Sequence, residues 1–598
     1  MDHPVDRNLV ETIDHGGGLS RGYTFVTGDG REQFFSFDAL RGEAARRAGI
    51  LRGLGLKKGD RLAMVVPDGV DFVPSFLAAT WAGVVPVPLY PPLAMGKLDS
   101  YLDSLTRILR RAEPAYLCTT ARLRHVLWSV VPKVPSLRGV VTTEELMGEG
   151  GGDERPVRCA PEDPVFLQFT SGSTSAPKGV VVSHANLQAN CWSVMREGLD
   201  SDSEADVGVS WLPLYHDMGL IGFVIAPLFH KVPVVFLPTM SFVRNANLWL
   251  DTMSRKKGTI TFAPNFAYAL AAKRARPEQI AAWDLSHVKA FGCGAEPINV
   301  RTLETFLHTF RPAGVKPSAI LPCYGMAEAT LAISFVGLDE PVKTDRVDRH
   351  RYEAVGVAEA DPDGAMEVVS CGRPFAGHEM AVFGADGTRL GERQVGELAL
   401  RGPSVTQGYF RDPAGTEAAY DGGWLRTGDL GYLAEGEVYI TGRKKDVIIF
   451  NGRNYDPQRI EWLVDDLPGV RRGSAVAFSR PGTSSEELVV AVEARSGDRA
   501  ALTLAIQARV NEQLQLVVAD VVLVSPGALP KTSSGKLQRQ RTREQYLAGT
   551  LGREGVRTLG GTAQRLSLAK HLTLSLVGRG RHAARRLIRR PGRAEGPP

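Results

Sequence analysis

The feature that most restricts the fold is a rhythm. Between Asp60 and Phe262, short apolar runs alternate with amphipathic stretches. Residues 61–66 read as a strand, 70–81 as a helix, 84–87 as a strand, 98–111 as a helix and 115–118 as a strand. The rhythm returns with strands at 207–212, 232–236 and 259–262 and a helix at 218–229. Strands alternating with helices predict α/β architecture with largely parallel sheets, because each parallel connection needs a crossover that a helix supplies. A turn-rich, strand-rich stretch follows over 372–442. Beyond it a small α/β unit is predicted, with strand 447–450, helix 457–466, strands near 474–478 and 488–492, helix 501–514 and strand 519–524. A chain of 598 residues is too long for one core. The expected division is a large domain over 1–442, a small one over 443–545 and a basic tail over 546–598.

Bulk properties exclude several classes. The six cysteines are scattered without a Cys-x-x-Cys pair, so they read as reduced cytoplasmic thiols, neither a disulfide framework nor a zinc site. The first eleven residues carry Asp2, Asp6 and Glu11 and no apolar core, so no signal peptide is expected. No run approaches the roughly 20 apolar residues of a membrane span. The net charge of +5 is misleading: residues 551–598 hold eleven Lys or Arg against two Glu, which leaves residues 1–550 at −4. Nothing here marks a nucleic-acid binder. The tail suits either a disordered solubilising role or weak contact with an anionic membrane surface.

Residues 170–179 carry the first chemistry. Thr170, Ser171, Gly172, Ser173, Thr174, Ser175 and Lys178 put five hydroxyls, two glycines and a lysine into ten positions between apolar runs at 165–169 and 180–182. Glycine-rich backbone aims N–H groups at one point, hydroxyls add donors and the lysine adds charge, which together suit a polyphosphate. The spacing is not that of the Walker A loop.

This run resembles the phosphate-binding signature of the acyl-adenylate-forming superfamily, and further matches follow in the family's order. Tyr324-Gly325-Met326-Ala327-Glu328 resembles the motif whose aromatic stacks on adenine and whose Glu holds Mg2+. Gly292-Cys293-Gly294-Ala295-Glu296 looks like the adenine-contacting loop. Thr427-Gly428-Asp429 resembles the motif whose Asp binds the ribose hydroxyls. Arg443-Lys444-Lys445-Asp446 resembles the inter-domain hinge, with Arg443 directed to ribose or phosphates and Lys445 at the hinge. Pro530 to Lys536 resembles the C-terminal motif whose final lysine is catalytic. The run 210–220 resembles the segment beside the reacting carboxylate and offers His216. The resemblance implies a mobile C-terminal lid and ATP with Mg2+. It also implies attack of a carboxylate on the α-phosphorus with loss of pyrophosphate.

Within that superfamily the chain is similar to the fatty-acyl-AMP ligases, which hand acyl groups to an acyl carrier protein or to a polyketide or nonribosomal peptide synthase. Pro86 to Pro92, the run 211–222 and Asn451 to Pro457 carry this likeness, although Tyr455-Asp456-Pro457 stands where the branch usually has His-Tyr-Pro. The polar segment 339–366 resembles the branch's insertion, which implies restricted lid rotation and poor use of CoA. A fatty-acyl-CoA ligase is the rival expectation. A non-catalytic nucleotide-binding regulator would be expected to have lost Lys536 or Glu328. Amino-acid activation is disfavoured, since 62 residues after Lys536 are too few for a carrier domain and the run 559–563 lacks its serine.

Overall fold

We describe a computed structural model of the chain over residues 7–92, 98–149, 152–170, 177–364, 366–450, 453–482, 486–495, 497–532 and 536–552. Four of the expected phosphate-loop residues (Ser171, Gly172, Ser173 and Thr174) and almost all of the basic tail lie outside the described residues.

The apolar runs become two sheets. One has the strand order Val85–Pro88, Arg61–Val65, Tyr116–Thr119, Gly139–Thr142, parallel throughout. These strands are almost wholly buried, so they read as unbroken apolar runs. The other sheet has nine strands. Its centre runs Ile320–Gly325, Ala290–Cys293, Ile260–Ala263, Gly208–Ser210, Val234–Phe236 and Gly22–Val26, each parallel to its neighbours. Antiparallel strands close both edges. One apolar core joins the two sheets, with Met64 and Cys118 from the first and Val209 and Phe291 from the second. Helix Leu98–Ala112 covers the opposite face of the four-stranded sheet with Leu102, Leu105 and Leu109.

The parallel centre decides where the site is. Ligands bind beyond the carboxyl ends of such strands. Strand Gly208–Ser210 leads to His216, strand Ala290–Cys293 to Ala295 and Glu296, and Ile320–Gly325 to Glu328. Segments far apart in sequence therefore emerge at one sheet edge.

Strands Pro164–Thr170 and Lys178–Ser183 form an antiparallel hairpin in which Thr170 lies opposite Lys178. The strand-rich stretch is a five-stranded antiparallel sheet, in which Trp424–Ala434 pairs with Gly396–Arg401 and Glu437–Arg443. The C-terminal unit has the strands Val470–Pro481, Glu486–Ala494 and Val518–Val524 with helices Pro457–Asp465, Arg499–Leu514 and Arg539–Leu547. Its own apolar clusters include Ile460, Ile506 and Val510. Among the described residues no helix is long and apolar enough to cross a membrane, and the six cysteines are free thiols.

Two segments differ from their sequence reading. The helix expected at 218–229 is interrupted by a π turn, Ile221–Ile225, and a second π turn occupies Ser193–Gly198. The extra residue of a π turn rotates everything after it by about 100°, a shift that an even apolar run does not reveal. The polar segment 339–366 is folded, not merely a surface loop. Strand Thr344–Val347 pairs with Met366–Val369, and helix Arg349–Val355 begins at Asp348, whose carboxylate accepts from Arg351 N. Tyr432 Oη donates to Asp345 at 2.7 Å, and Arg393 pairs with the same carboxylate at 2.9 Å. On its other flank Arg349 donates to the Gln513 carbonyl at 2.5 Å, and Arg459 lies 3.5 Å from the buried Glu353. The segment thus bridges the strand-rich sheet and the C-terminal unit. Several of its charges look like surface charges because partners such as Tyr432, Arg393 and Arg459 sit on distant elements.

Candidate active site

Strand pairing sets the polar centre. Asp429 lies directly opposite Arg443 in the Trp424–Ala434 and Glu437–Arg443 pair, and Arg443 Nε stands 3.0 Å from Asp429 Oδ1. Tyr324 Oη donates to Asp429 Oδ2 at 2.7 Å. Asp429 is therefore buried with one partner on each carboxylate oxygen. Its charge in turn holds the Arg443 guanidinium above its ordinary pKa.

Glu328 follows the end of Ile320–Gly325, and its Oε1 accepts from Tyr409 Oη at 2.9 Å. Lys178 Nζ lies 4.4 Å from the centre of the Tyr409 ring, a cation–π contact. Tyr409 thus ties Lys178 to Glu328. It had no motif to announce it, because a Gly-Tyr pair in a loop is common. Two non-glycine residues here have left-handed backbone, Ala295 at φ +68° and Thr330 at φ +72°. A β-branched residue in that region is strained, and such strain collects at functional sites. Thr330 is held there by a 2.7 Å bond from its hydroxyl to the Ser404 carbonyl. The glycines at 294 and 325 are required by close approach: a Cβ would come within 2.6 Å of Cys323 Sγ at Gly294 and 1.9 Å of the Leu331 carbonyl at Gly325.

Lys536 arrives from the C-terminal unit. Its backbone N–H donates to Thr532 Oγ1 at 3.0 Å, its carbonyl accepts from Thr532 N at 2.7 Å, and its Nζ donates to the Ala295 carbonyl. Desolvation lowers the Lys536 pKa, while the carboxylates of Glu296, Asp217 and Asp429 act in the opposite sense. Glu296 Oε1 accepts from Phe266 N at 2.9 Å, at the start of helix Asn265–Arg274, and burial raises the Glu296 pKa. Burial likewise lowers the His216 pKa, and the nearby Lys536 adds to that, so the imidazole is neutral at pH 7. Desolvation followed by the charges of Arg443 and Lys178 shapes Lys445, whose pKa is lowered overall. Residues 445–446 are clasped by helix Arg539–Leu547, with Arg539 2.6 Å from Asp446 and Gln540 Nε2 donating to the Lys445 carbonyl at 3.1 Å. Of the residues expected from the sequence, Lys178, Ala295, Glu296, Tyr324, Glu328, Asp429, Arg443, Lys445, Lys536 and His216 are gathered at this edge; Thr170 lies across the hairpin from Lys178.

Ala295, Tyr324 and Asp217 also line a pocket in the large domain. Most of its lining is apolar, including Val194, Met195, Leu199, Pro227, Val232 and Ile260. Both π turns supply wall, through Met195 and through Gly222 and Phe223. A Cβ at Gly222 would meet only Leu331 Cδ2, at 3.5 Å, so that position leaves pocket space open. None of these residues had been singled out as a pocket wall, because dispersed apolar residues carry no local pattern.

A polar centre that suits a nucleotide and an apolar pocket beside it that suits a hydrocarbon define an acyl-activating site. Residues 19–410 match the AMP-binding enzyme family, and residues 445–555 match the AMP domain of Disco-interacting protein 2-like proteins. The chain belongs to the AMP-binding enzyme family and is an ATP-dependent, adenylate-forming ligase. A Caulobacter vibrioides relative, provisionally named an acyl-CoA synthetase, is 40% identical, over 86% of this chain and 90% of its own length. A Moorena producens medium-chain-fatty-acid–[acyl-carrier-protein] ligase is 32% identical over 92% of this chain and 97% of its own. A solved structure from work on fatty acyl-adenylate ligases of E. coli and L. pneumophila is 34% identical. It superposes with a TM-score of 0.87, over 92% of this chain and 99% of that one.

Proposed function

We propose that this protein adenylates a medium- to long-chain fatty acid and transfers the acyl group to the pantetheine thiol of a carrier protein or synthase. The observation that carries this reading is the apolar pocket opening beside the Ala295 carbonyl, where Lys536 is seated. A hydrocarbon chain in the pocket would place its carboxylate at that mouth, near His216 and Asp217.

The first step joins a carboxylate oxygen to the α-phosphorus of ATP and breaks the bond to pyrophosphate. Two anions must approach, so positive charge and alignment dominate the barrier. In this reading Lys178 and the 170–174 loop hold the phosphates, Asp429 and Arg443 hold the ribose, and Tyr324 with the 294–296 loop frames the adenine. Lys536 brings its charge to the developing transition state, His216 walls the carboxylate, and Lys445 serves the hinge between residues 1–442 and a lid over 443–545. Glu328 offers its carboxylate beside the Tyr409 bond, and Mg2+ commonly takes one or two carboxylates plus phosphate oxygens, so the residue fits that ion. Magnesium there would neutralise the phosphates. In the second step a thiol sulfur attacks the acyl carbonyl and AMP leaves.

The carrier protein is favoured over CoA because segment 339–366 is anchored on both flanks, to Tyr432 and Arg393 and to Gln513 and Arg459. Such a strap opposes lid rotation. The name of the Caulobacter relative favours CoA as the second reading. Free thiols throughout accord with a cytoplasmic setting. Product analysis with ATP, a panel of fatty acids, and either CoA or a holo carrier protein tests the proposal. Acyl-AMP with thioester only on the carrier supports it. Efficient acyl-CoA formation selects the second reading, and absence of fatty-acid-dependent pyrophosphate exchange defeats both.

A further inference from the structure

One segment of the strand-rich stretch crosses between two parts of the polar centre. Residues 403–410 follow strand Gly396–Arg401 and are fastened at both ends. Near the start, the Ser404 carbonyl accepts from Thr330 Oγ1 at 2.7 Å, and Thr406 N donates to the Glu328 carbonyl at 2.8 Å. Near the end, Phe410 N donates to the Gly179 carbonyl at 2.7 Å, and the Gly408 carbonyl accepts from Val181 N at 3.1 Å. Tyr409 thereby forms an antiparallel bridge with Val180, on the strand that begins at Lys178. Gly408 permits this course: its φ is +128°, and a Cβ there would come within 2.3 Å of Thr416 Cγ2. Tyr409 N donates to Thr416 Oγ1 at 3.0 Å, so the backbone at this residue has little freedom.

That backbone aims one side chain at two opposite charges. Tyr409 Oη donates to Glu328 Oε1 at 2.9 Å, and Lys178 Nζ lies 4.4 Å from the ring centre. The side chain is half-buried and packs against the cores of both the large domain and the strand-rich sheet. A direct ion pair would neutralise the ammonium and the carboxylate together, yet among the described residues no ion pair joins them. The hydroxyl holds the carboxylate and the ring face holds the ammonium, so each keeps its charge for a ligand.

We propose that Tyr409 is a positioning residue for the ATP–Mg2+ pair: its hydroxyl orients Glu328 toward the metal, and its ring seats Lys178 toward the phosphates. The role rests on the nucleotide reading above and deepens it. Outer partners of a metal-binding carboxylate fix its orientation, and their loss typically weakens the metal by roughly 10–100-fold. The two halves of the side chain serve different groups, so two substitutions separate them. Tyr409→Phe removes the hydroxyl alone; Tyr409→Leu removes the ring as well.

The test measures ATP binding to the full chain without turnover, in EDTA and in saturating Mg2+, for the intact protein, both Tyr409 variants and Tyr420→Phe. The Tyr420 hydroxyl donates to the Thr406 carbonyl, so its loss disturbs the same segment while leaving both Tyr409 contacts in place. In EDTA the Phe variant should bind ATP as the intact protein does, and the Leu variant about fivefold more weakly, since only it loses the ring beside Lys178. The gain in ATP affinity on adding Mg2+ should fall about tenfold in both, since both lose the hydroxyl on Glu328. Fatty-acid-dependent pyrophosphate exchange by the intact protein checks the adenylation reading separately. Either loss, confined to the Tyr409 variants, supports the positioning role. If the intact protein gains nothing from Mg2+, the metal assignment of Glu328 falls and the EDTA series alone decides. Failure of the intact protein to bind ATP removes the nucleotide reading and the role with it. Unchanged binding in both series, or an equal loss in Tyr420→Phe, overturns the role.

Discussion

At the polar end of the pocket, Tyr324, Asp429 and Arg443 are joined by contacts of 2.7 and 3.0 Å, and Tyr409 links Glu328 to Lys178. At the other end Met195, Leu199, Pro227 and Val232 offer only van der Waals surface. The polar end tolerates little change, because each group has a particular partner at a particular distance. The apolar end is defined by volume and shape, which many combinations of side chains can supply. Chemistry and substrate choice are thus separable here, and each should fail independently.

The largest effect is expected at the polar end. Lys536→Ala should lower acyl-AMP formation by about 10²–10³-fold, as for loss of one preorganised charge, while ATP binding stays near its original strength. Pyrophosphate exchange with a separate nucleotide-binding assay measures both; near-normal exchange would remove Lys536 from the chemistry. The apolar end should respond in kind and not in rate. Gly222→Leu fills space that now meets only Leu331, so activity should shift toward shorter acids by about tenfold in kcat/KM ratio. An unchanged chain-length profile would show that the pocket takes no hydrocarbon.

Smaller effects lie between the two domains. Arg459→Ala removes a contact to Glu353 and one to Met366 Sδ, and should raise acyl-CoA formation by about threefold if the strap limits rotation. No rise would leave the strap a purely structural element. The smallest concerns pH. Burial lowers the Lys536 pKa, so the ammonium, and activity with it, is lost on the alkaline side below the ordinary lysine range. The Glu296 carboxylate raises that pKa, so Glu296→Gln should move the alkaline limb to lower pH, read from kcat/KM profiles. A limb displaced upward would contradict the sign of that interaction.

The same contrast governs what could be read in advance. Asp429, Glu328, Lys178 and Lys536 were legible because each stands in a short run whose glycines and hydroxyls have a local purpose. Gly294 and Gly325 show that purpose in the fold, since neither site has room for a Cβ. Tyr409 was not legible, because its value lies in touching two residues from elsewhere. Nor was the role of the two π turns, whose effect is a rotation of side chains within an evenly apolar stretch. The segment 339–366 read as a polar insertion because the partners of Asp345, Arg349 and Glu353 sit on Tyr432, Gln513 and Arg459.

By itself the sequence determined the α/β alternation, the order of the motif runs and the small C-terminal α/β unit. These depend on periodicity and on neighbours within a few residues, which the chain carries locally. Only the tertiary structure decided that His216, Ala295 and Glu328 share one sheet edge and that the apolar pocket opens beside them. Those relations arise where parallel strands end together and two domains meet, and such proximity between distant residues has no local signature.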